Sequence, residues 1–325
     1  MNLNKVYLGR IAKQHGFVRD TLEKVIRLTE VLRFIMKDEI LDGHLLLKGG
    51  TAIHLTILDM KRLSVDIDLD FIPNLSKGEV ANQRVVIRER LNTYMEGEGY
   101  ELEEKKSKYT YSLDSYIYSY TNTGDMKDLI KVGINYAIRE HLFQPIKSNI
   151  NTLNGVLDPL EILSVHPIEI FASKLTALMN RAAARDLYDV WNMVEIDLFN
   201  SKERDSLRKA LIFYSVLNVD VKEELFDISR ISSIDFKKVH RELRPVIYTK
   251  ERINLDEMHS TVIDYINEIV QLNDNERLFI DKFYDAGEYL PELLFDEEEQ
   301  IERLKAHPMA LWKLRNRRKE HDNIT

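Results

Sequence analysis

No cysteine occurs among the 325 residues. That excludes disulfides, thiolate metal sites and a cysteine nucleophile, and it fits a reducing compartment. No run approaches the ~18 apolar residues that cross a bilayer. The first ten residues, Met1 to Arg10, lack the apolar core of a secretory signal. A cytoplasmic location is therefore expected. Positive charge is also short: 46 Lys and Arg stand against 54 Asp and Glu, giving a net charge of −8 and a pI near 5.7. This argues against a surface that binds nucleic acid indiscriminately, and leaves room for a local basic groove. Lys313 to Lys319 is one basic run; the simpler reading is a solvated helix end, where cations are favoured. Repeats and low-complexity tracts are absent too. With 44% hydrophobic and 31% charged residues, the chain reads as globular and is long enough for two domains.

The chemistry is concentrated in two pieces, Lys48-Gly49-Gly50-Thr51 and Ser64-Val65-Asp66-Ile67-Asp68-Leu69-Asp70-Phe71. The second alternates strictly. As a strand it sets Asp66, Asp68 and Asp70 on one face and the apolar side chains on the other. Aspartate is a poor strand former and like charges repel across a sheet, so a cation over the carboxylates would relieve the pattern. Two aspartates at i and i+2 suit Mg²⁺, which takes one or two carboxylates with phosphate oxygens. The glycine pair suits a backbone that approaches a triphosphate closely. It is not a Walker loop, because the spacing before the lysine is wrong. Alone, the first piece reads as a helix N-terminal turn and the second as an edge strand blunted by charge. In order, they point to metal-dependent nucleotidyl transfer.

Around these pieces, Phe17 to Met36 and Val80 to Gly97 carry helical periodicity. His44 to Leu47 reads as a strand and Thr51 to Leu58 as a short helix. Lys108 to Ser119 and Leu129 to Tyr136 read as strands. The polar stretch Asn149 to Gly155, followed by Leu157-Asp158-Pro159, places a domain boundary at 156/157. Pro167 to Asn180 opens as a helix should. The remainder is mainly helical to about Phe295, with turns near Val219, Pro245 and Asn273. The acidic run Asp296 to Glu299 reads as solvated.

A third constellation comprises Lys174, Arg181, Arg185, Asp186 and Asp189. On one continuous helix, Lys174, Arg181 and Arg185 share a stripe that suits a triphosphate or an RNA backbone. Arg185 with Asp189 equally reads as an i,i+4 surface pair. Tyr109, Tyr111, Tyr116, Tyr118 and Tyr120, near Lys105, Lys106 and Lys108, suit RNA stacking, although ordinary strand residues are the plainer reading. His44, His54 and His166 lack metal-ligand spacing.

These residues carry a resemblance. Lys48-Gly49-Gly50-Thr51, then Arg62-x-Ser64-x-Asp66-Ile67-Asp68-Leu69, then Lys174 and Arg181-x3-Arg185-Asp186-x2-Asp189, resemble the AbiEii/AbiGii toxin family, as does the tail His307-Pro308-Met309-Ala310-Leu311-Trp312-Lys313-Leu314. The likeness runs over roughly residues 20–315. It implies an α+β chain: a nucleotidyltransferase domain of the DNA polymerase β type with a mixed or antiparallel sheet (1–156), and a mainly helical C-terminal domain (157–325) that completes the active site. It implies the toxin of a toxin–antitoxin system, linked to abortive infection and phage defence. Such a toxin would use an NTP with Mg²⁺ or Mn²⁺ and transfer NMP to an RNA, with the tRNA 3′ end as acceptor. A cognate antitoxin is the implied protein partner. By the same resemblance Asp66 and Asp68 hold the metal and act in catalysis with Lys174 and Asp186, while Gly49, Gly50, Thr51, Ser64, Arg181 and Arg185 bind the nucleotide.

One departure stands out. Many polymerase-β-type enzymes carry a third carboxylate on a neighbouring strand. Here Lys131, Gly133 and Asn135 form that face, so either Asp186 or Asp70 fills the role or one metal site is weak. Two other functions stay open: a catalytically weak nucleotide- or RNA-binding module, and nucleotide transfer onto a protein hydroxyl.

Overall fold

A computed structural model describes residues 4–322, with side chains through 317. The chain forms two compact units. One comprises the chain through Arg139, with Pro145–Val165 and Arg244–Arg252; the other comprises Glu140–Gln144, His166–Leu243 and the chain from Ile253 onward. The units thus divide at other residues than 156/157, and each is built from more than one segment.

The first unit begins with α1 (Lys5–His15) and α2 (Arg19–Ile35). Strand β1 (Leu45–Lys48) runs into the short helix α3 (Gly49–Ala52), which continues as a π-turn over Ile53–Ile57. Then come β2 (Asp66–Phe71), α4 (Lys77–Gly97), β3 (Glu101–Leu102), β4 (Lys108–Tyr109), β5 (Leu113–Thr121), β6 (Lys127–Asn135), β7 (Ile146–Asn149) and β8 (Glu161–Ser164). The sheet is mixed, in the order β3-β5-β6-β2-β1-β8-β7, with β4 also on β5. β2 is antiparallel to β1 and parallel to β6. Alternation decides its two faces. Ile67, Leu69 and Phe71 are fully buried, as are Tyr116, Val132 and Ile134. On that side Tyr118 donates to Asn92 of α4 at 2.7 Å, and Phe34 of α2 stacks on Tyr94 of α4 with ring centroids 4.1 Å apart. Asp66 and Asp68 point to the opposite face and are half-buried. The returning segment is stitched in by Leu63, whose N–H donates to the Val246 carbonyl at 2.6 Å, and by an Arg62–Ile247 bridge.

The sequence signal missed β7 and β8, four residues each. β7 is an edge strand with half-exposed and exposed residues alternating, so little apolar pattern marks it.

The second unit is helical: α5 (Pro167–Arg181), α6 (Ala184–Glu195), α7 (Ser201–Asn218), α8 (Phe236–Glu242), α9 (Leu255–Ile269), α10 (Asp274–Asp281), α11 (Glu298–Lys305) and α12 (Pro308–Asp322). Its core holds Phe171, Phe213, Phe279 and Phe283. One buried carboxylate organises polar groups there. Glu169 accepts from His141 at 2.6 Å, from the Tyr214 hydroxyl and from the Leu142 and Phe143 N–H groups. Burial pushes its carboxyl up, but His141, Tyr214 and the Phe143 N–H outweigh that and hold it below the usual range.

His307 is fully buried beside Phe213, with centroids 5.0 Å apart. Burial pushes its pKa from 6.5 down to about 4. A histidine depressed in the folded state is neutral there and protonated in the unfolded chain, so stability falls as pH drops through that interval. Between pH 7 and pH 4.5 the loss attributable to His307 is about 2 kcal/mol. Urea unfolding at pH 7 and pH 4.5 measures it, and His307→Gln should remove that share of the pH dependence.

The basic C-terminal run is absorbed by structure as far as its side chains are described. Lys313 is buried and donates to the Leu217 and Val219 carbonyls at 3.1 and 2.6 Å. Arg317 lies 4.5 Å over the Tyr284 ring and donates to the Asp220 carbonyl at 2.7 Å. The side chains of positions 318 and 319 lie outside the described residues.

Candidate functional site

In the first unit, β1 leads straight into the glycine turn, so Lys48 pairs with Asp68 across the strands. Gly49 has φ +68°, a left-handed backbone that glycine adopts without a Cβ penalty. A Cβ at Gly49 would stand 3.1 Å from Asp68 Oδ2, and one at Gly133 of β6 would stand 3.3 Å from Asp68 Oδ1. The Asp68 carboxylate therefore occupies a slot whose two walls are glycine α-carbons. Gly49→Ala adds backbone strain of roughly 1 kcal/mol and displaces this carboxylate. The expected outcome is a folded protein with at least tenfold lower turnover, read by melting temperature and nucleotide incorporation together.

Gly50 serves a different contact. A Cβ there would meet Arg62 Nη2 at 2.8 Å and Ser64 Oγ at 3.1 Å. Thr51 is buried, and its hydroxyl donates to the Asp66 carbonyl and lies 2.9 Å from Ser64 Oγ. Thr51 and Ser64 thus latch the glycine turn to the start of β2 and set the height of Asp66.

Asp66 and Asp68 have no hydrogen-bond or ion-pair partner among the described residues. Asp70 differs. It is buried, and Lys48 Nζ donates to it at 2.5 Å. The third aspartate of the strand is thereby matched by a cation from β1. On the other side β6 places Lys131, Gly133 and Asn135 beside Asp66, Asp68 and Asp70, so this row carries no acid. No cluster of three or more His, Cys, Asp or Glu that would hold a metal occurs among the described residues. The pair itself fits Mg²⁺ or Mn²⁺: two adjacent carboxylates, unmatched by protein cations, in a glycine-walled slot, leaving coordination positions for phosphate and water.

In the second unit the Lys174 cluster is built by a break in the helix. α5 ends at Arg181, Ala182 adopts φ +48°, and α6 starts at Ala184. The single stripe of Lys174, Arg181 and Arg185 expected from a continuous helix does not form. Consecutive alanines at 182–184 are strong helix formers. Local propensity is overridden by Glu242, which accepts from the Ala184 N–H at 3.0 Å, and by the buried charges. Lys174 Nζ lies 3.0 Å from Asp186 and 3.2 Å from Asp189; the three residues are 8%, 2% and 0% exposed. Arg181 adds donors to Asp186 at 2.7 and 3.1 Å. Burial pushes the Asp186 carboxyl up, and Lys174 with Arg181 more than offset it, so its pKa is lowered. Asp189 thus pairs with Lys174, and not with Arg185 on the surface. Arg185 is half-buried with no ion-pair partner among the described residues.

Residues 32–283 match the family model described as the nucleotidyl transferase AbiEii toxin of the type IV toxin–antitoxin system. The chain belongs to the AbiEii family. It is accordingly a nucleotidyltransferase toxin, and the type IV system implies an antitoxin and an NTP as counterparts. Among solved structures, MenT4, a nucleotidyltransferase toxin from Mycobacterium tuberculosis H37Rv, is 15% identical, with a TM-score of 0.60 over 95% of this chain and 99% of that one. That likeness establishes the α+β nucleotidyltransferase fold. Among curated proteins no sequence matches.

Within this AbiEii-family chain the tyrosines divide. Tyr116, Tyr118 and Tyr120 are core residues, whereas Tyr109 and Tyr111 are 40% and 73% exposed. Sequence reasoning overlooked Gly133 and Lys48 as site-builders. The reciprocal signal was available for Gly133, a glycine inside a β-branched strand, which marks close approach of another group. A cavity of about 400 Å³ in the helical unit, lined by Asn200, Arg204, Arg208 and Tyr265, contains none of the expected site residues. No helix among the described residues is long and apolar enough to cross a membrane.

Proposed function

We propose that this AbiEii-family toxin acts in the cytoplasm, transferring NMP from an NTP to an RNA acceptor, the 3′ end of a tRNA, with release of pyrophosphate. The observation that carries the reading is the Asp66–Asp68 pair: two unmatched carboxylates on one strand face, one of them walled by Gly49 and Gly133. These two residues would hold Mg²⁺ or Mn²⁺. A divalent ion bound there supplies Lewis-acid stabilisation of the charge on the transferring phosphoryl group.

The chain's own groups do the rest. The turn at Gly49 and Gly50 opens α3 and offers backbone N–H groups to phosphate oxygens. Thr51 and Ser64 act by holding that turn against β2. Lys48 matches Asp70, which leaves Asp66 and Asp68 as the unmatched negative charge of the strand. Lys174, Asp186, Arg181 and Arg185 take their roles from the family motif. Within their own unit Asp186 and Asp189 position the Lys174 ammonium, and Arg185 is the motif cation best placed to meet a phosphate, because no carboxylate neutralises it.

Pyrophosphate release with each NTP, Mg²⁺ or Mn²⁺ and total tRNA tests the reading. The expected result is release that Asp66→Ala abolishes, with labelled nucleotide in the RNA. Nucleotide binding without turnover would make the chain a binding module. Label in protein would redirect the transfer to a side-chain hydroxyl.

A further inference from the structure

The carboxylate face of the sheet extends beyond the slot. Cross-strand neighbours share a face, and one row runs Lys48, Asp68, Gly133, Ser115, Lys108 across five strands. Between Asp68 and Lys108 only a glycine and a serine intervene. Three strand spacings separate them, about 14 Å. A Cβ at Gly133 would meet nothing within 4 Å except Asp68 Oδ1 and the Ile67 carbonyl. The flanking rows carry longer side chains: Lys131 and Ile117 on one side, Asn135 and Leu113 on the other. Gly133 and Ser115 are buried while these flanking residues are half-buried or exposed, which is the profile of a groove with a floor and two walls.

The charges along this groove are unbalanced. Lys131, beside Asp66, and Lys108 and Lys105 at the sheet edge have no ion-pair partner among the described residues. Lys105-Lys106-Ser107-Lys108 contains no acid; only Lys106 is matched, by Glu103 at 3.7 Å. On the other side of the same edge the charges are matched. Arg88 pairs with Glu104 and Arg84 with Asp114, and Tyr109 packs against Tyr116 with centroids 5.6 Å apart. In a chain of net charge −8, unmatched lysines along a groove that starts at the reacting carboxylates fit a polyanion.

We propose that the acceptor RNA lies in this groove, running from the Asp66–Asp68 pair over Gly133 and Ser115 to the edge hairpin, with its phosphates on Lys131, Lys108 and Lys105. The inference rests on the nucleotidyl-transfer reading and adds the path of the second substrate. Phosphate contacts of this kind position a strand without reading its sequence. They also release counterions, so each tenfold rise in salt weakens binding by about 0.7 logarithmic units per contact for single strands.

The test uses the full chain, total tRNA and labelled NTP. Lys105→Glu/Lys108→Glu should raise the KM for tRNA at least tenfold, with the KM for NTP unchanged, and should flatten the salt dependence of tRNA binding. Ser115→Leu, which raises the floor and keeps every charge, should raise the tRNA KM in the same way. Tyr111→Ala, on the helix-facing side, should change neither. Direct tRNA binding, followed by anisotropy without turnover, separates the two claims. If no nucleotide is incorporated but binding still depends on Lys108 and Ser115, the transfer reading fails and the groove stands. If incorporation proceeds and both variants keep the wild-type tRNA KM, the groove is overturned. It is overturned equally if the variants bind tRNA normally and instead escape neutralisation by the antitoxin, which would make this face a protein interface.

Discussion

Asp68→Asn should lower nucleotide incorporation by about 10²-fold or more while leaving the melting temperature unchanged. The loss corresponds to ~2.7 kcal/mol of transition-state stabilisation, the scale on which removal of one electrostatic stabiliser is felt. The fold is spared because Asp68 makes no hydrogen bond or ion pair that the amide would break. The amide also fits the same slot between Gly49 and Gly133. Circular-dichroism melting beside incorporation of labelled NTP measures both. Wild-type incorporation by Asp68→Asn would remove this residue from metal binding and from the reaction.

Lys174→Met should behave in the opposite way, losing stability first. The substitution keeps the length of the side chain and removes the cation that faces Asp186 and Asp189 at 3.0 and 3.2 Å. Breaking a buried pair costs about 3–5 kcal/mol, because the buried carboxylates lose the ammonium that faces them. For a unit of this size that is a fall in melting temperature on the order of 10 °C. Asp186 keeps its pairing with Arg181. The pH dependence supplies a check on sign. The Asp186 pKa is lowered in the folded state, so its contribution is present above the unfolded value of 3.8 and is lost as pH falls through the folded one. Wild type and Lys174→Met should therefore converge in stability at acid pH. Equal melting temperatures at pH 7 would show that the cluster carries no net stabilisation.

The contrast between these variants follows from how each carboxylate is matched. Asp66 and Asp68 are left without cations in the sheet unit; Asp70, Asp186 and Asp189 are paired with Lys48 or Lys174. All five are aspartates in motifs that look equally suggestive in the sequence. Their pairing was not legible there, since Lys48 and Lys174 lie 22 and 12 or 15 residues from their partners.

What the sequence determined by itself is the local pattern: Asp66, Asp68 and Asp70 on one face of β2, the glycine turn opening α3, the helical periodicity of α2 and α4, and a face of β6 without an acid. Each is a consequence of side-chain alternation or of backbone freedom, which act over a few residues. What only the tertiary structure decided is which of those groups meet. The left-handed Ala182 broke a helix that three alanines favour, because Glu242 and the buried Lys174 charges outweigh propensities of tenths of a kcal/mol. Strand order brought Gly133 against Asp68 and laid Ser115 and Lys108 in the same row. Such encounters depend on register between segments far apart in the chain, and register is set by packing of the whole apolar face and not by any short run of residues.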